Sequence, residues 1–156
     1  MNKLFPTLGF ILILIAFSCN TNAPKQKKEI DEFINKWHQA ATEAQLDTYF
    51  NCFSENAIYI GTDAGERWTK KEFFAFCEPH FSKGKTWDFK PYNRQIYFSD
   101  DNKTIWFDEL LTTWMGVCRG SGIIILENGK LKISHYHLSV TIKNEKMNEF
   151  LLIQQE

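Results

Sequence analysis

Asn128-Gly129 sits between two long β-branched segments, and this pair constrains the chain more than any other feature. Both central positions of a two-residue hairpin can take positive φ when they are Asn and Gly, so the pair predicts a tight antiparallel turn. Upstream, residues 119–126 end in an Ile-Ile-Ile-Leu run. Downstream, residues 131–142 alternate apolar and polar positions through Ile133, His135, His137 and Ser139. A further strand, residues 104–114, precedes them and joins through the Gly116 region. Three consecutive strands of this length predict an antiparallel meander whose apolar side must be covered by helices.

The N-terminus is set apart by composition. Residues 1–3 carry a single lysine, residues 4–17 are almost wholly apolar, and Ser18-Cys19 follows. A charged start, an apolar run too short for a comfortable bilayer span and a small-residue end describe an export signal. The position of Cys19 resembles the lipobox of bacterial lipoproteins, which implies diacylation of that cysteine after removal of residues 1–18. The expected address is therefore the bacterial cell envelope, facing the periplasm or exterior, with the membrane held through lipid. Only Lys3 of the 18 basic residues falls in the leader and none of the 19 acidic ones does. The remaining domain is mildly acidic, which is no electrostatic footprint for nucleic acid.

Residues 19–28, with Pro24 and three lysines, read as a polar tether. From residue 29, Ile30, Phe33, Ile34, Trp37, Ala40, Ala41 and Ala44 recur at helical spacing, predicting an amphipathic helix to about residue 45 with Trp37 as its anchor and His38 exposed. A short helical piece carries Leu46, Tyr49, Phe50 and Phe53. A strand over residues 57–60 follows, closed by a turn containing Gly61, Asp63 and Gly65. Thr69 and Glu72 form a capping-box pattern ahead of an aromatic helix bearing Phe73, Phe74, Phe76, Cys77 and Phe81. A strand over residues 86–98 is placed at an edge by Pro91, which cannot donate to a ladder. The domain spans residues 29–144, with residues 145–156 as a tail. Helices segregated from an antiparallel sheet make this an α+β domain. Cys52, Cys77 and Cys118 sit among apolar neighbours and read as small buried residues.

The order of elements and several segments together resemble the SnoaL-like branch of the nuclear-transport-factor-2-like superfamily. Trp37, Tyr49-Phe50 with Phe53, residues 60–63, Glu66-Arg67, Phe98-Ser99, residues 106–109, residues 119–122 and residues 132–139 carry the resemblance. It implies a conical α+β fold, a strongly bent antiparallel sheet wrapped around N-terminal helices, a pocket at one end and frequent homodimerisation through the outer sheet face. It does not imply one activity, since members include isomerases, cyclases, dehydratases, binding domains and assembly modules.

Period two puts Trp106, Asp108, Leu110, Thr112 and Trp114 on one face of their strand and Phe107, Glu109, Leu111 and Thr113 on the other. In the last strand it puts Ile133, His135 and His137 together. His137 with Asp108 or Glu109 would make an acid–base pair, and Tyr49 or Tyr59 could donate to developing oxyanion charge. The alternative for both histidines is structural, hydrogen-bonded to Asp108, Glu109 or Arg119. A metal site would need a third ligand from Asp108, Glu109 or His80 and is not expected. Arg119 is expected to pair with Glu109 across the hairpin. The residues expected to contact a ligand are Trp37, Tyr59, Trp106, Arg119 and His135. No dinucleotide, P-loop, zinc-protease, nucleophile-elbow or Cys-x-x-Cys pattern occurs, so no cofactor is expected. The expected function is binding of a small, mainly apolar molecule, with an isomerase, cyclase or dehydratase using a His–carboxylate pair as one alternative and an assembly module as another.

Overall fold

A computed structural model describes residues 23–154. The expected signal segment, Cys19 and the start of the expected tether lie outside the described residues. The elements in order are α1 (Ala23–Thr42), α2 (Leu46–Phe50), β1 (Phe53–Ile60), β2 (Arg67–Thr69), α3 (Lys70–Ser82), β3 (Lys90–Phe98), β4 (Thr104–Thr113), β5 (Gly116–Glu127), β6 (Lys130–Val140), a 3-10 turn (Asn144–Lys146) and α4 (Met147–Ile153). They form one curved open sheet in the order β2-β1-β6-β5-β4-β3. All pairs are antiparallel except β1 with β6.

The apolar stripe of α1 lies against this sheet, burying Ile30, Ile34, Trp37, Ala40 and Ala41. The helix starts at Ala23 and ends at Thr42, so most of the expected tether is helical and the predicted end is two to three residues too far on. Thr69 caps α3 as the pattern predicts. Its hydroxyl accepts from the Glu72 amide, and the Glu72 carboxylate accepts from the Thr69 amide at 2.8 Å. β3 is an edge strand, in keeping with Pro91, but it begins only at Lys90, leaving residues 86–89 as a loop. The expected tail carries α4.

Two glycines of β5 admit the core aromatics. Tyr136 lies over Gly120 and Phe107 over Gly122, where a Cβ would sit 2.7 Å from the Phe107 ring. Around them an aromatic core closes: Trp37 stacks on Tyr49 at 5.3 Å and meets Tyr136 edge-on at 4.7 Å. Cys52, Cys77 and Cys118 are buried, as read from their neighbours, and all three are free thiols.

The decisive irregularity is in β6. Ile123 pairs with His135 and Ile124 with Ile133, so Ser134 is an extra residue, a β-bulge. The bulge reverses the alternation after Ile133. Ile133, Tyr136 and Leu138 all face the helices and are buried. His135 and His137 face outward. The expectation that Ile133, His135 and His137 share a face is therefore corrected, because strict period two holds only in an unbulged strand.

Candidate functional site

At one end of the sheet, α3, β2, the 86–89 loop and the β4–β5 hairpin enclose an open pocket of about 300 Å³. Its floor is Tyr59 and Leu138. Its walls are Trp68, Phe73, Phe76, Trp87 and Phe89, with Trp114 and Met115 from the hairpin tip. The wall rings are nearly parallel: Trp68 is tilted 26° to Phe73 and 24° to Phe76, and Tyr59 stacks on Phe73 at 3.8 Å. A mainly aromatic concavity with few polar groups is the form small-molecule sites take.

Those polar groups are Tyr59, Glu66, His80 and Lys85, with Thr62 and Thr86 at the margin. Burial, helped by Cys77 and Glu66, pushes the Tyr59 phenol up, so it remains a neutral O–H able to donate or accept. Glu66 is held by the turn it follows: its Oε2 accepts from the Thr62 amide at 2.9 Å and the Asp63 amide at 3.2 Å. Asp63 accepts from the Gly65 amide at 2.8 Å, the local bond by which an Asp side chain closes a turn. Arg67 makes no ion pair with these acids. Among the described residues, Lys85 and His80 have no acidic partner, leaving two cationic or potentially cationic groups at the rim.

A second polar cluster runs from a buried centre at Glu109 to the surface at Asp31 and Asn35. Glu109 is 0% exposed and is ligated on both oxygens. His38 Nε2 is 2.7 Å from Oε1, while Arg94 Nε donates to Oε2 at 2.8 Å with Nη2 at 2.7 Å. Arg94 Nη1 continues to Asp31 at 2.6 Å and to Asn35 at 2.8 Å. Burial pushes Glu109 up, but the His38 hydrogen bond and the charges of His38 and Arg94 outweigh it and hold the carboxyl below its usual range. The cluster clamps α1 to β3 and β4.

His38, expected to be exposed, is 7% exposed. It follows Ile30 and Ile34 on the i, i+4 row, so it belongs to the flank of the buried stripe. Arg94 was not signalled by sequence pattern. A bulge between Tyr92 and Gln95, with Asn93 at φ 52°, displaces it from simple alternation. The signal that could have found both residues was Glu109 itself, since a carboxylate between Phe107 and Leu111 on a buried face demands cationic partners.

The expected catalytic set is not brought together. Glu109 faces inward, whereas Asp108 and His137 face outward with Ser121 between them in register. Arg119 Nη1 pairs with Asp108 at 2.8 Å, not with Glu109, because Glu109 lies on the opposite face. Tyr49 is 1% exposed, enclosed by the core rings, and lines no part of the mouth pocket. Of the expected ligand contacts, Tyr59 lines the pocket. Trp37 is core, and Trp106, Arg119 and His135 lie on the outer sheet face. Burial, with the nearby charges of His137 and Arg67, lowers the His135 pKa.

The sequence profile of the SnoaL-like domain matches residues 30–143. No curated protein matches the chain. Among solved structures, it is similar to an NTF2-like protein of unknown function from Pseudomonas putida KT2440, at 13% identity over 79% of this chain and 92% of that one, with a TM-score of 0.66. An NTF2-like protein from Cytophaga hutchinsonii ATCC 33406 is 16% identical over 74% and 98%, with a TM-score of 0.63. A protein from Xanthomonas campestris described as a putative calcium/calmodulin dependent protein kinase II association domain is 15% identical over 74% and 88%, with a TM-score of 0.56.

Proposed function

The chain belongs to the SnoaL-like family of nuclear-transport-factor-2-like domains, and we propose that it binds a small, mainly apolar molecule in the mouth pocket. The observation that carries this reading is the pocket's composition: near-parallel aromatic walls over the Tyr59 hydroxyl, with Lys85 and His80 at the rim. A flat or branched apolar body gains by leaving water and by contact with ring faces. Its polar end, best an acceptor or an anion, is met by Tyr59 or Lys85. Binding without turnover is favoured over proton transfer because the buried His38–Glu109 pair is separate from the pocket, and the outward His137 is separated by β5 from Asp108, which is paired with Arg119. The domain is carried in the bacterial cell envelope through lipid on Cys19.

The aromatic anion 8-anilinonaphthalene-1-sulfonate tests the pocket directly. Saturable one-to-one binding that is lost in Phe76→Asp supports the reading. Unsaturable binding, or binding indifferent to Phe76→Asp and Trp87→Ala, overturns it.

One further observation favours pairing of two copies. On the outer sheet face Tyr97 stacks on Trp106 at 5.7 Å, both about 40% exposed, with Ile123 beside Trp106 in register. Exposed aromatics in a contiguous row suit a homodimer interface. Sedimentation velocity of the wild type against Trp106→Glu checks it: a dimer that the substitution dissolves supports the pairing, and a monomer in both refutes it.

A further inference from the structure

We infer that the end of the domain opposite the pocket is the end that rests on the bilayer, so that the pocket opens away from the membrane and takes its ligand from the aqueous side. The inference rests on the lipid anchor at Cys19 proposed above. Four peptide links join Cys19 to Ala23, the first residue of α1, and they reach at most about 14 Å. The start of α1 is therefore held close to the surface that carries the acyl chains.

The two ends of α1 have different neighbours. Near its start, Gln26, Glu29 and Ile30 lie beside Asn102 and Leu126, that is, beside the β3–β4 and β5–β6 turns. Near its finish, the Thr86 hydroxyl donates to the Ala41 carbonyl at 2.6 Å and Thr42 donates to Asp88 at 3.0 Å. Thr86 and its neighbour Trp87 line the pocket. The helix has 20 residues, so these two ends are about 30 Å apart. The strands agree: β3 and β6 have one end at the turns and the other at the pocket, where Phe89 and Leu138 lie.

The surface-side end carries the exposed Leu126 and the Asn128–Gly129 hairpin. Its lysines, Lys25, Lys27, Lys28, Lys103 and Lys130, are offset to within one charge by Glu29, Asp100, Asp101 and Glu127. Charge is near balance there, so seating comes from the short lipid tether and does not require anionic headgroups. A ligand dissolved in the bilayer would have to leave it and travel the length of the domain to enter. The pocket therefore suits a molecule delivered through water or by a soluble carrier.

The test uses the full chain, lipidated in a bacterial host and reconstituted into phosphatidylcholine vesicles containing a nitroxide-headgroup lipid. The remaining cysteines among the described residues are buried, so a bimane label can be directed to Lys130→Cys or to Lys83→Cys at the pocket end. Quenching several-fold stronger at residue 130 than at residue 83 is the expected result. Equal quenching, or stronger quenching at residue 83, overturns the orientation while leaving the anchor intact. Flotation with vesicles that survives Cys19→Ser overturns the anchor, and the orientation with it.

Discussion

Replacing Arg94 by Leu strips the buried Glu109 carboxylate of its guanidinium partner. In the wild type, Glu109 is 0% exposed, and the Arg94 and His38 side chains are 6% and 8% exposed. After Arg94→Leu, Glu109 keeps only His38 at 2.7 Å. Breaking a buried pair from one side costs about 3–5 kcal/mol, because the remaining charge stays desolvated. Glu109→Gln is milder, since Arg94 keeps Asp31 and Asn35 and the amide can still accept from His38. Its cost is about 1–3 kcal/mol. Urea unfolding followed by tryptophan fluorescence measures both, as Trp37 packs 4.7 Å from the His38 ring. Arg94→Leu costing less than about 1 kcal/mol would refute the clamp, since an exposed surface pair would show that value.

The cluster also has a signature in acid. The folded pKa of Glu109 lies below its unfolded value, 4.5, so below that pH the unfolded chain takes up a proton that the folded chain resists. Its contribution is therefore fully present above about pH 4.5 and fades as pH falls through the folded pKa. Stability of the wild type should drop more steeply below about pH 4.5 than that of Glu109→Gln. Identical slopes would remove Glu109 from the account.

Other substitutions probe other parts. Gly122→Ala pushes a methyl against Phe107 and the His135 carbonyl, 2.7 and 2.9 Å from the new Cβ, and should cost about 1–3 kcal/mol by denaturation; an unchanged midpoint would mean that the strand yields freely. Thr69→Ala removes the cap of α3 and should lower the melting temperature by a few degrees in calorimetry. Trp114, 84% exposed at the hairpin tip, should be replaceable by Ala with stability unchanged within about 0.5 kcal/mol. The same change should weaken the anilinonaphthalene probe measurably, and equal affinity would exclude Trp114 from the site.

Local chemistry made much of the fold readable. Asn128-Gly129 announced the β5–β6 hairpin, Thr69 and Glu72 the start of α3, and Pro91 the edge position of β3. Alternation placed Glu109 opposite Asp108 correctly, because β4 is regular. It failed in β6, where Ser134 enters as an unpaired residue and turns His135 and His137 outward. A bulge depends on how two strands meet, which one strand's pattern does not contain. The pocket was legible only through Tyr59. Its walls come from α3, β2, the 86–89 loop and the β4–β5 hairpin, whose proximity is set by the bending of the whole sheet. For the same reason Trp37 and Tyr49 read as site residues, since aromatics that fill a core and aromatics that line a cavity look alike along a chain. Arg94 and His38 became visible only as the answer to a buried carboxylate.

The central claim, a small molecule held at the mouth of the sheet, is tested most directly by a high-resolution crystal structure of the protein purified from a bacterial host. The account predicts ordered non-protein density between Trp68, Phe76 and Trp87, with an atom in hydrogen-bonding reach of the Tyr59 hydroxyl. Side chains of Trp87, Trp114 and Met115 folded into that space, leaving no room for a ligand, would contradict it.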